Sequence, residues 1–474
     1  MSATVAEAPT SNPLRRIAFD IQTERAARSS GVPFPPGPLN FSLLRTRRFS
    51  QNPLPILLDC YEEYGPVFSI RLLHSPVVFM LGPEANHYLT VSHAANFRWR
   101  DGSMGDLIPL LGDGLLTIDG PYHRHSRKIM LPSFHRERIA QSADTMVEEI
   151  SRALETWIPG QRLDLYHWTR ALALRIAMRA LLGLDPDRGD DMHAADEFEH
   201  ALAFWGTDYL LQTLRGPFSP FSRMQKHKRR LDKLVYDEIG RRRASGEDRE
   251  DLMGVLLAAN DDTGQKLSDR EIRDHLVTLL FAGHDTTTST VAFLFYELLK
   301  KPAALERLTA EIDRDLGGRP PTAAELVGGL PELEAAMDET LRMYPPAWVG
   351  PRRAVETFEF QGVKVPAGTL VNYCSWASHR LKDVYPEPDE FRPERFTPEA
   401  KAALAKGAYV PFGGGSRTCI GMRFGQLEIK TIATLVLQRF RLAPPREYKL
   451  NIRMMPTLSP KQGLPLTVME RRAA

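Results

Sequence analysis

The sequence is poor in cysteine and contains no long apolar run. Its three cysteines, Cys60, Cys374 and Cys419, are odd in number and far apart, which argues against a disulfide framework and fits a reducing cytoplasm. No stretch reaches about 18 consecutive apolar residues, the length that a membrane-spanning helix needs. The first thirty residues also lack the apolar core of a signal peptide. We therefore expect a cytoplasmic protein without a membrane span.

The chain also carries almost no excess charge. Its 61 basic and 59 acidic residues give a formal net charge of +2 over 474 residues, so there is no global reason to expect nucleic-acid binding. Hydrophobic residues make up 43% of the sequence and charged residues 25%. This balance is typical of a globular protein that buries a sizeable core.

A proline-rich segment over residues 33–38 marks a boundary, because prolines cannot continue a helix or donate regular hydrogen bonds. No Gly/Ser linker, low-complexity block or repeat follows it. We expect a flexible leader over residues 1–32 and a single domain over residues 33–474. The alternative for the leader is a peripheral membrane contact through Leu14, Ile17, Phe19 and Ile21.

Apolar residues recur at three-to-four spacing through much of the chain and predict helices. The predicted helices cover residues 135–157, 163–182, 192–214, 221–244, 269–300 and 422–438. Short β-type runs predict two small sheets. The first is a hairpin of residues 67–72 and 77–81, and the second joins residues 358–360, 363–365 and 370–373. The fold class is therefore mainly α with a minor β portion.

The segment from Pro411 to Gly421 places three consecutive glycines shortly before Cys419, next to a predicted helix. Glycines allow a backbone to approach a flat ligand closely. A cysteine near a helix N-terminus gains from the positive end of the helix dipole, which favours the thiolate. A thiolate is the axial haem ligand that promotes cleavage of the O–O bond. The alternative is a structural cysteine beside a tight turn.

This segment resembles the cytochrome P450 signature Phe-x-x-Gly-x-Arg-x-Cys-x-Gly at all five fixed positions, Phe412, Gly415, Arg417, Cys419 and Gly421. The resemblance implies a triangular helical prism with small antiparallel sheets and haem b as cofactor. It assigns Cys419 as the ligand of the iron and Phe412 as a packing partner of its sulfur. It pairs Arg417 with a haem propionate, a carboxylate that a guanidinium suits on chemical grounds.

A second motif lies in the middle of the predicted helix over residues 269–300, which begins with a capping box at Ser268. Its residues, Ala282-Gly283-His284-Asp285-Thr286-Thr287, mix glycine, a carboxylate and hydroxyls, which helix interiors disfavour. They match the family's Ala-Gly-x-Asp-Thr-Thr. The resemblance implies that Thr286 steers a proton during oxygen activation and that Asp285 connects it to solvent. The alternative is a polar kink that only packs helices.

Two shorter matches concern the support of the site. Glu339 and Arg342 resemble the family's Glu-x-x-Arg, and Arg395 lies in a segment whose arginine joins that pair. The resemblance implies a structural network that holds the loop before Cys419. Removing one member is expected to be severe, because its buried partners would be left uncompensated.

Three further residues are candidates for the haem propionates. His123 and Arg127 lie four residues apart and resemble the family's propionate-binding helix, although many members carry tryptophan where His123 stands. Arg352 precedes the second predicted sheet and is a further candidate partner. The alternative for Arg352 is a solvated surface arginine.

The resemblance also maps substrate-facing segments onto the chain. Their apolar candidates are Trp99, Phe204, Trp205, Ala282, Trp348, Val349 and Leu458. An apolar pocket suits a fatty acid, a terpenoid, a steroid or a similar molecule. The alternative for each residue is a place in the hydrophobic core.

The reaction implied by the resemblance is insertion of one atom of dioxygen into the substrate, as hydroxylation or epoxidation. Because no reductase module fits in the chain, we expect electrons from a ferredoxin or flavodoxin and its NAD(P)H-dependent reductase. Basic residues could steer such an acidic carrier: Arg124, Lys128, Arg423 and Lys430. The alternatives are a peroxygenase driven by hydrogen peroxide and a non-catalytic haem sensor.

Overall fold

The computed structural model describes residues 12–187, 194–207, 209–246, 251–260, 264–444 and 447–471. Helices predominate, which confirms the predicted fold class. They are α1 Pro13–Ser29, α2 Leu43–Gln51, α3 Pro53–Tyr64, α4 Pro83–His87, α5 Ile108–Leu111, α6 Gly120–Met130, α7 Arg136–Leu154, α8 Leu165–Ala177, α9 Ala194–Leu202, α10 Tyr209–Thr213, α11 Pro220–Ser245, α12 Leu252–Ala258, α13 Asp269–Lys300, α14 Pro302–Leu316, α15 Ala323–Leu326, α16 Pro331–Met343, α17 Ser375–Ser378, α18 Pro398–Ala402 and α19 Met422–Arg439.

The strands are short. They are β1 Val67–Leu72, β2 Ser75–Met80, β3 Phe97–Arg98, β4 Arg162–Asp164, β5 Gly350–Ala354, β6 Phe358–Phe360, β7 Val363–Val365, β8 Leu370–Tyr373, β9 Phe440–Ala443, β10 Ile452–Arg453, β11 Ser459–Pro460 and β12 Pro465–Arg471. The helix predicted over 192–214 is divided into α9, a 3-10 turn at Ala203–Gly206 and α10. Residues 192, 193 and 208 lie outside the described residues.

The largest sheet has five strands in the order β1-β2-β8-β5-β3. It contains the predicted hairpin of β1 and β2. We expected β8 to join β6 and β7, but β8 pairs in parallel with β2 and antiparallel with β5. The reason is packing, since Val371 and Tyr373 of β8 are buried in one cluster with Val78 and Met80 of β2. Of the three strands expected to pair, only β6 and β7 do so, as a two-stranded sheet; β10 and β11 form another.

Residues 13–29, which we expected to belong to a flexible leader, form helix α1, whereas residues 1–11 lie outside the described residues. The prediction is wrong for this segment because a buried ion pair between Asp20 and Arg353 of β5 docks α1 on the sheet. The docked position of α1 also sets the exposure of the four candidate membrane residues. Leu14 is exposed, while Ile17, Phe19 and Ile21 are partly buried.

Helix α13 runs through the core of the molecule. It begins with the predicted capping box between Ser268 and Glu271 and continues to Lys300 without a break at Gly283. It contacts α8, α16 and α19, so the oxygen-activation motif and the cysteine loop are carried by packed helices. Within the described residues, no helix is both long enough and apolar enough to cross a membrane.

Candidate active site

One narrow face in the middle of α13 is open, although the rest of this stretch is buried. Between Ile272 and Phe295, the partly exposed residues are Ala282, Gly283 and Thr286. Thr286 lies four residues after Ala282 and three after Gly283, and positions at these spacings share a side of a helix. A Cβ atom added to Gly283 would have no atom within 4 Å. This stretch of α13 is therefore an open face on an unbroken helix.

Cys419 lies in the loop before α19 and is the exposed cysteine, whereas Cys60 and Cys374 are buried. Its backbone N–H donates to the carbonyl of Phe412 at 2.9 Å, which closes the glycine loop. Protein atoms around the thiol raise its pKa by desolvation, while the Gly421 backbone and the charge of Arg127 lower it. An accessible thiol beside a cation is suited to metal binding.

We predicted that the glycines of this loop let the backbone approach a flat ligand, but two of them are needed for packing within the protein. A Cβ atom on Gly415 would collide with the carbonyl oxygen of Thr90, and one on Gly414 would lie 2.6 Å from the Thr90 hydroxyl. Gly415 also has a φ of +60°, which favours glycine. These two glycines therefore let the loop press against the π-helical turn Tyr88–Ser92. Gly413 has more room, with the Tyr373 hydroxyl 3.5 Å from its added Cβ.

Arg352 on β5 is a buried cation, so the alternative of a solvated arginine is wrong. Its side chain is 3% exposed, and its guanidinium carbon lies 3.6 Å from the centroid of the Trp99 ring. Its Nη1 donates to the Pro351 carbonyl at 2.9 Å, and within the described residues it forms no ion pair with a carboxylate. Burial lowers its pKa to about 10. Such a group calls for an anion.

Arg417 faces the same ring at 5.3 Å. It forms an ion pair with Asp119 and donates to the carbonyl of Ile118 at 2.5 Å. Burial lowers the pKa of Arg417 to about 10, against the opposing effect of Asp119. Asp119 also accepts hydrogen bonds from the backbone N–H groups of Trp99 and Arg100 at 3.2 and 2.9 Å. Asp119 therefore links the loop that carries Trp99 to the cysteine loop.

Helix α6 adds His123 and Arg127 to this cluster. Burial, together with the charges of Arg417 and Arg127, lowers the pKa of His123 to about 3. The His123 side chain is 4% exposed, and its imidazole makes no hydrogen bond within the described part of the chain. The charge of Arg127 acts on the Cys419 thiol. His123, Arg127 and Arg417 thus form one group of predicted propionate residues, and Arg127 also acts on Cys419.

The two candidate catalytic residues point in different directions. Thr286 lies on the open face of α13 and donates from Oγ1 to the carbonyl of Ala282 at 2.7 Å. Asp285 is buried, and its Oδ1 lies 3.3 Å from Nε of Arg170 on α8. Neither carboxylate oxygen of Asp285 has a hydrogen-bond partner. Asp285 is therefore held by charge, without a fixed hydrogen bond.

Charged groups link Asp285 to the surface. Glu199 of α9 lies 3.5 Å from Nε of Arg170 and 3.5 Å from Nε2 of His284. Its side chain is 38% exposed, whereas that of Asp285 is 1% exposed. His284 and Arg170 lower the pKa of Glu199. Arg170 and Glu199, which the sequence analysis missed, thus lie between Asp285 and the surface of the molecule.

The predicted structural network is present and buried. Arg342 donates from Nε and Nη2 to the two carboxylate oxygens of Glu339 at 2.7 and 2.9 Å. Arg395 adds an ion pair to Glu339 at 3.4 Å, and the backbone N–H of Arg392 donates to it at 2.9 Å. Glu339 and Arg342 are fully buried. The loss of either would leave a buried charge without compensation.

His379 connects this network to the cysteine loop and was not recognised from the sequence. Arg342 donates to the His379 carbonyl at 2.9 Å. The N–H of Val410 donates to His379 Nε2 at 3.0 Å, so the proton of the neutral ring is on Nδ1, which donates to the Arg342 carbonyl at 3.2 Å. Burial lowers the pKa of His379 to about 3. This neutral ring positions the start of the loop.

The apolar candidates fall into separate groups. Phe204 and Trp205 form a buried T-shaped pair with centroids 5.0 Å apart. Trp348 is buried and donates to the Met454 carbonyl at 3.0 Å. The N–H of Leu458 donates to the Pro346 carbonyl at 3.0 Å, and Val349 is partly buried nearby in the chain. Trp99 is different, because the structure places it with Arg352 and Arg417 instead.

These residues fit a haem. Cys419 offers a thiol ligand, and the open face at Ala282, Gly283 and Thr286 offers a wall that a flat ring can approach. The buried cation of Arg352, with Arg417 nearby, suits the carboxylates of a propionate-bearing ring. Asp119 precedes α6, but its side chain makes no cap hydrogen bond and pairs with Arg417 instead, a contact that the sequence does not show.

Comparisons with known proteins agree with this arrangement. The family model described as cytochrome P450 matches residues 32–467. Cyclooctatin synthase of Streptomyces melanosporofaciens is 34% identical over 428 residues, covering 88% of this chain and 92% of the relative. Cyclooctat-9-en-7-ol 5-monooxygenase of the same organism is 35% identical over 346 residues, covering 71% and 74%.

A solved structure supports the same conclusion. Retinoic acid-bound cyanobacterial CYP120A1 superposes with a TM-score of 0.82 at 29% identity, covering 93% of this chain and 99% of that one. The motif residues, the buried arginines and the match across nearly the whole chain all point the same way. The chain belongs to the cytochrome P450 family and is a haem-dependent monooxygenase.

Proposed function

We propose that this monooxygenase hydroxylates an apolar terpenoid-sized substrate in the cytoplasm. The observation that carries the proposal is the open face of α13, where Thr286 is partly exposed together with Ala282 and Gly283. A hydroxyl beside alanine and glycine can serve proton delivery without binding a polar substrate. Two relatives with terpenoid names, cyclooctatin synthase and a cyclooctat-9-en-7-ol monooxygenase, favour this class over a fatty acid or a steroid.

Two groups of residues are proposed to hold the haem, one at its iron and one at its propionates. Cys419 would bind the iron, with Phe412 beside it in the loop. The positive side chains would bind the propionates: His123 by hydrogen bonding, and Arg127, Arg352 and Arg417 by charge. When bound, haem supplies the activation of dioxygen. The chain itself supplies the thiolate, the orientation of the ring and the protons.

Proton delivery is assigned to Thr286 and Asp285. Thr286 Oγ1 holds a proton at the open face, and its present acceptor is the Ala282 carbonyl at 2.7 Å. The Asp285 carboxylate has no hydrogen bond to keep it in place. It can exchange protons with solvent through the side of the molecule where Arg170 and Glu199 lie. General acid–base steps of this kind contribute about 10²- to 10⁴-fold to rates.

The substrate pocket is proposed to combine Ala282 of the open face with buried and partly buried apolar residues from other segments. Phe204 and Trp205 would form one wall, while Trp348, Val349 and Leu458 would form another. These side chains offer few polar groups, so a rigid apolar molecule fits them best. Trp99 is left out of this wall because its ring stacks on Arg352 at 3.6 Å.

Electrons are proposed to come from a ferredoxin or flavodoxin, which an NAD(P)H-dependent reductase would reduce. Arg124, Lys128 and Arg423 are exposed and belong to α6 and α19, the helices next to the cysteine loop. Lys430 does not belong with them, since it is buried and bonded to Glu334 at 2.7 Å. The prediction for Lys430 is therefore wrong.

The first experiment tests the ligand and the proton route together. Cys419→Ala should abolish the red-shifted Soret band of the reduced carbonyl complex, and an unchanged band would refute the assignment of Cys419. Thr286→Ala should keep that band but divert reducing equivalents to peroxide. If NADPH use stays coupled to product formation in Thr286→Ala, the proton-delivery role is wrong.

A second experiment tests the substrate class. Cyclic terpenoid alcohols, saturated fatty acids and steroids are titrated into the ferric protein, and the low-to-high-spin spectral shift is recorded. Terpenoid alcohols should give the tightest shift and a product heavier by one oxygen atom with ferredoxin and reductase present. A tighter shift with fatty acids or steroids would contradict the proposal. Equal turnover with hydrogen peroxide alone would favour a peroxygenase, and no turnover with any donor would favour a sensor.

A further inference from the structure

Helix α1 packs beside Arg352 and Trp99. These two residues are called the anion site, because the buried Arg352 cation is proposed to bind a propionate. Asp20, near the middle of α1, is 8% exposed. Its Oδ1 lies 2.5 Å from Nη2 of Arg353, and its Oδ2 lies 3.3 Å from Nε2 of His74. Arg352, the proposed propionate-binding residue, is therefore the sequence neighbour of Arg353, which forms a buried ion pair with α1.

Arg352 and Arg353 are neighbours on β5 but lie on its opposite faces. Successive side chains of a strand point to opposite faces, so Arg352 and Arg353 of β5 face opposite ways. Arg352 lies against the ring of Trp99. Arg353 lies 5.0 Å from the ring of Phe19 on α1, beside Asp20. Helix α1 therefore supports β5 from behind the anion site.

A second contact from α1 reaches the loop that carries Trp99. Arg16 donates from Nη2 to the carbonyls of Asp101 and Gly102 at 2.7 and 3.0 Å. Arg353 donates from Nε to the same Asp101 carbonyl at 3.1 Å. The loop packs tightly on β5, since a Cβ atom on Gly102 would lie 3.0 Å from the backbone nitrogen of Arg352. Helix α1 thus contacts both β5, which carries Arg352, and the loop that carries Trp99.

We propose that Asp20 and Arg16 are positioning residues through which α1 keeps Arg352 and Trp99 in place to retain the propionates of the cofactor. The inference rests on the proposed role of Arg352. Removing the Asp20 charge leaves Arg353 buried without its partner, which destabilises the docked position of α1. Strand β5 and the loop after Trp99 then lose their common support.

The test compares two carboxylates of the same helix in the haem-loaded protein. Asp20→Asn keeps the size of the side chain but removes its charge. Glu24→Gln is the matched control, because Glu24 lies one turn later on α1 and pairs with Arg28 at 2.9 Å and with Arg71 of β1. The readouts are the rate of haem transfer to excess apomyoglobin and the resonance Raman bands of the propionates.

Asp20→Asn should release haem about tenfold faster than the parent, the size of effect typical of residues that orient a ligand, with shifted propionate bands. Glu24→Gln should match the parent in both readouts. Equal release by Asp20→Asn, Glu24→Gln and the parent would overturn the proposal. If Asp20→Asn does not fold, Arg16→Gln provides the same comparison with the same expected direction.

Arg352→Gln separates this proposal from the function on which it rests. Faster haem release by Arg352→Gln but not by Asp20→Asn would refute only the role of α1. Unchanged release by Arg352→Gln would refute the propionate assignment itself.

Discussion

At the scale of single residues, the fixed spacing of two motifs made Cys419, Arg417, Asp285 and Thr286 predictable. Residues that support them come from distant parts of the chain and carry no local pattern. Asp119, Arg170, Glu199 and His379 belong to this group. Each acts through a contact formed only by the tertiary fold, such as the N–H of Val410 on His379 at 3.0 Å. A single sequence contains no signal for such contacts.

His379 leads to a prediction for acid stability. Its pKa is about 3 in the folded protein and about 6.5 in an unfolded chain. The unfolded state therefore binds more protons between these values, so the stabilisation is complete above pH 6.5 and is lost as the pH falls. The free energy of unfolding should drop by about 2 kcal/mol between pH 6.5 and 5 from this residue alone.

Urea unfolding of the parent and of His379→Gln at pH 7 and pH 5 measures this effect. The variant should be less stable at pH 7 and should lose less stability on acidification. Part of the dependence should remain, because burial also lowers the pKa of His123 to about 3 and that of His275 to about 4. An identical pH dependence in parent and variant would show that His379 does not contribute.

At the scale of elements, apolar periodicity predicted the long helices well, and it gave α13 its observed bounds. Periodicity could not predict strand pairing, so β8 was assigned to the wrong sheet. It also could not show that α1 docks, because an ion pair rather than an apolar stripe holds it. A hydrogen bond between two predicted helices was likewise hidden: Thr287 of α13 lies 3.2 Å from Glu428 of α19.

Burial raises the pKa of Glu428 to about 8, against the opposing effect of Thr287. An unfolded glutamate has a pKa of about 4.3, so the folded state binds more protons between these values and stability falls as the pH rises through this range. Glu428→Gln mimics the protonated acid. At pH 7.5 its free energy of unfolding should exceed that of the parent by up to about 4 kcal/mol.

Melting temperatures at pH 6 and pH 8 test this prediction. The parent should melt at a lower temperature at pH 8 than at pH 6, whereas Glu428→Gln should change much less. Glu334→Gln is a control on the other side of α19, because Glu334 pairs with Lys430 at 2.7 Å and should keep the dependence of the parent. The same dependence in parent and Glu428→Gln would contradict the raised pKa.

At the scale of the whole molecule, the near-zero net charge conceals local surfaces of one sign. Lys128 of α6 and Lys226 of α11 are both exposed, but only α6 also carries the candidate propionate residues. Both lysines have basic neighbours in the sequence. Only the fold distinguishes the cluster beside the cofactor residues from a solvated helix face.

Lys128→Glu should therefore slow electron transfer from an acidic ferredoxin by about tenfold at low salt, with the difference shrinking as salt rises. Lys226→Glu makes the same change in net charge and should leave the rate near that of the parent. Stopped-flow reduction under carbon monoxide at several ionic strengths measures both variants. Equal slowing in the two variants would point to a global charge effect.

The order of strands in the five-stranded sheet has a consequence for how the chain is made. Strand β2, over Ser75–Met80, pairs with β8, over Leu370–Tyr373, so about 290 residues separate the partners in sequence. During synthesis the edge of β2 stays uncovered until that later segment leaves the ribosome, and Asp20 of α1 pairs with Arg353 across 333 residues. Non-local pairing of this kind is slow and aggregation-prone, so translation speed and chaperone supply should govern the yield of folded protein.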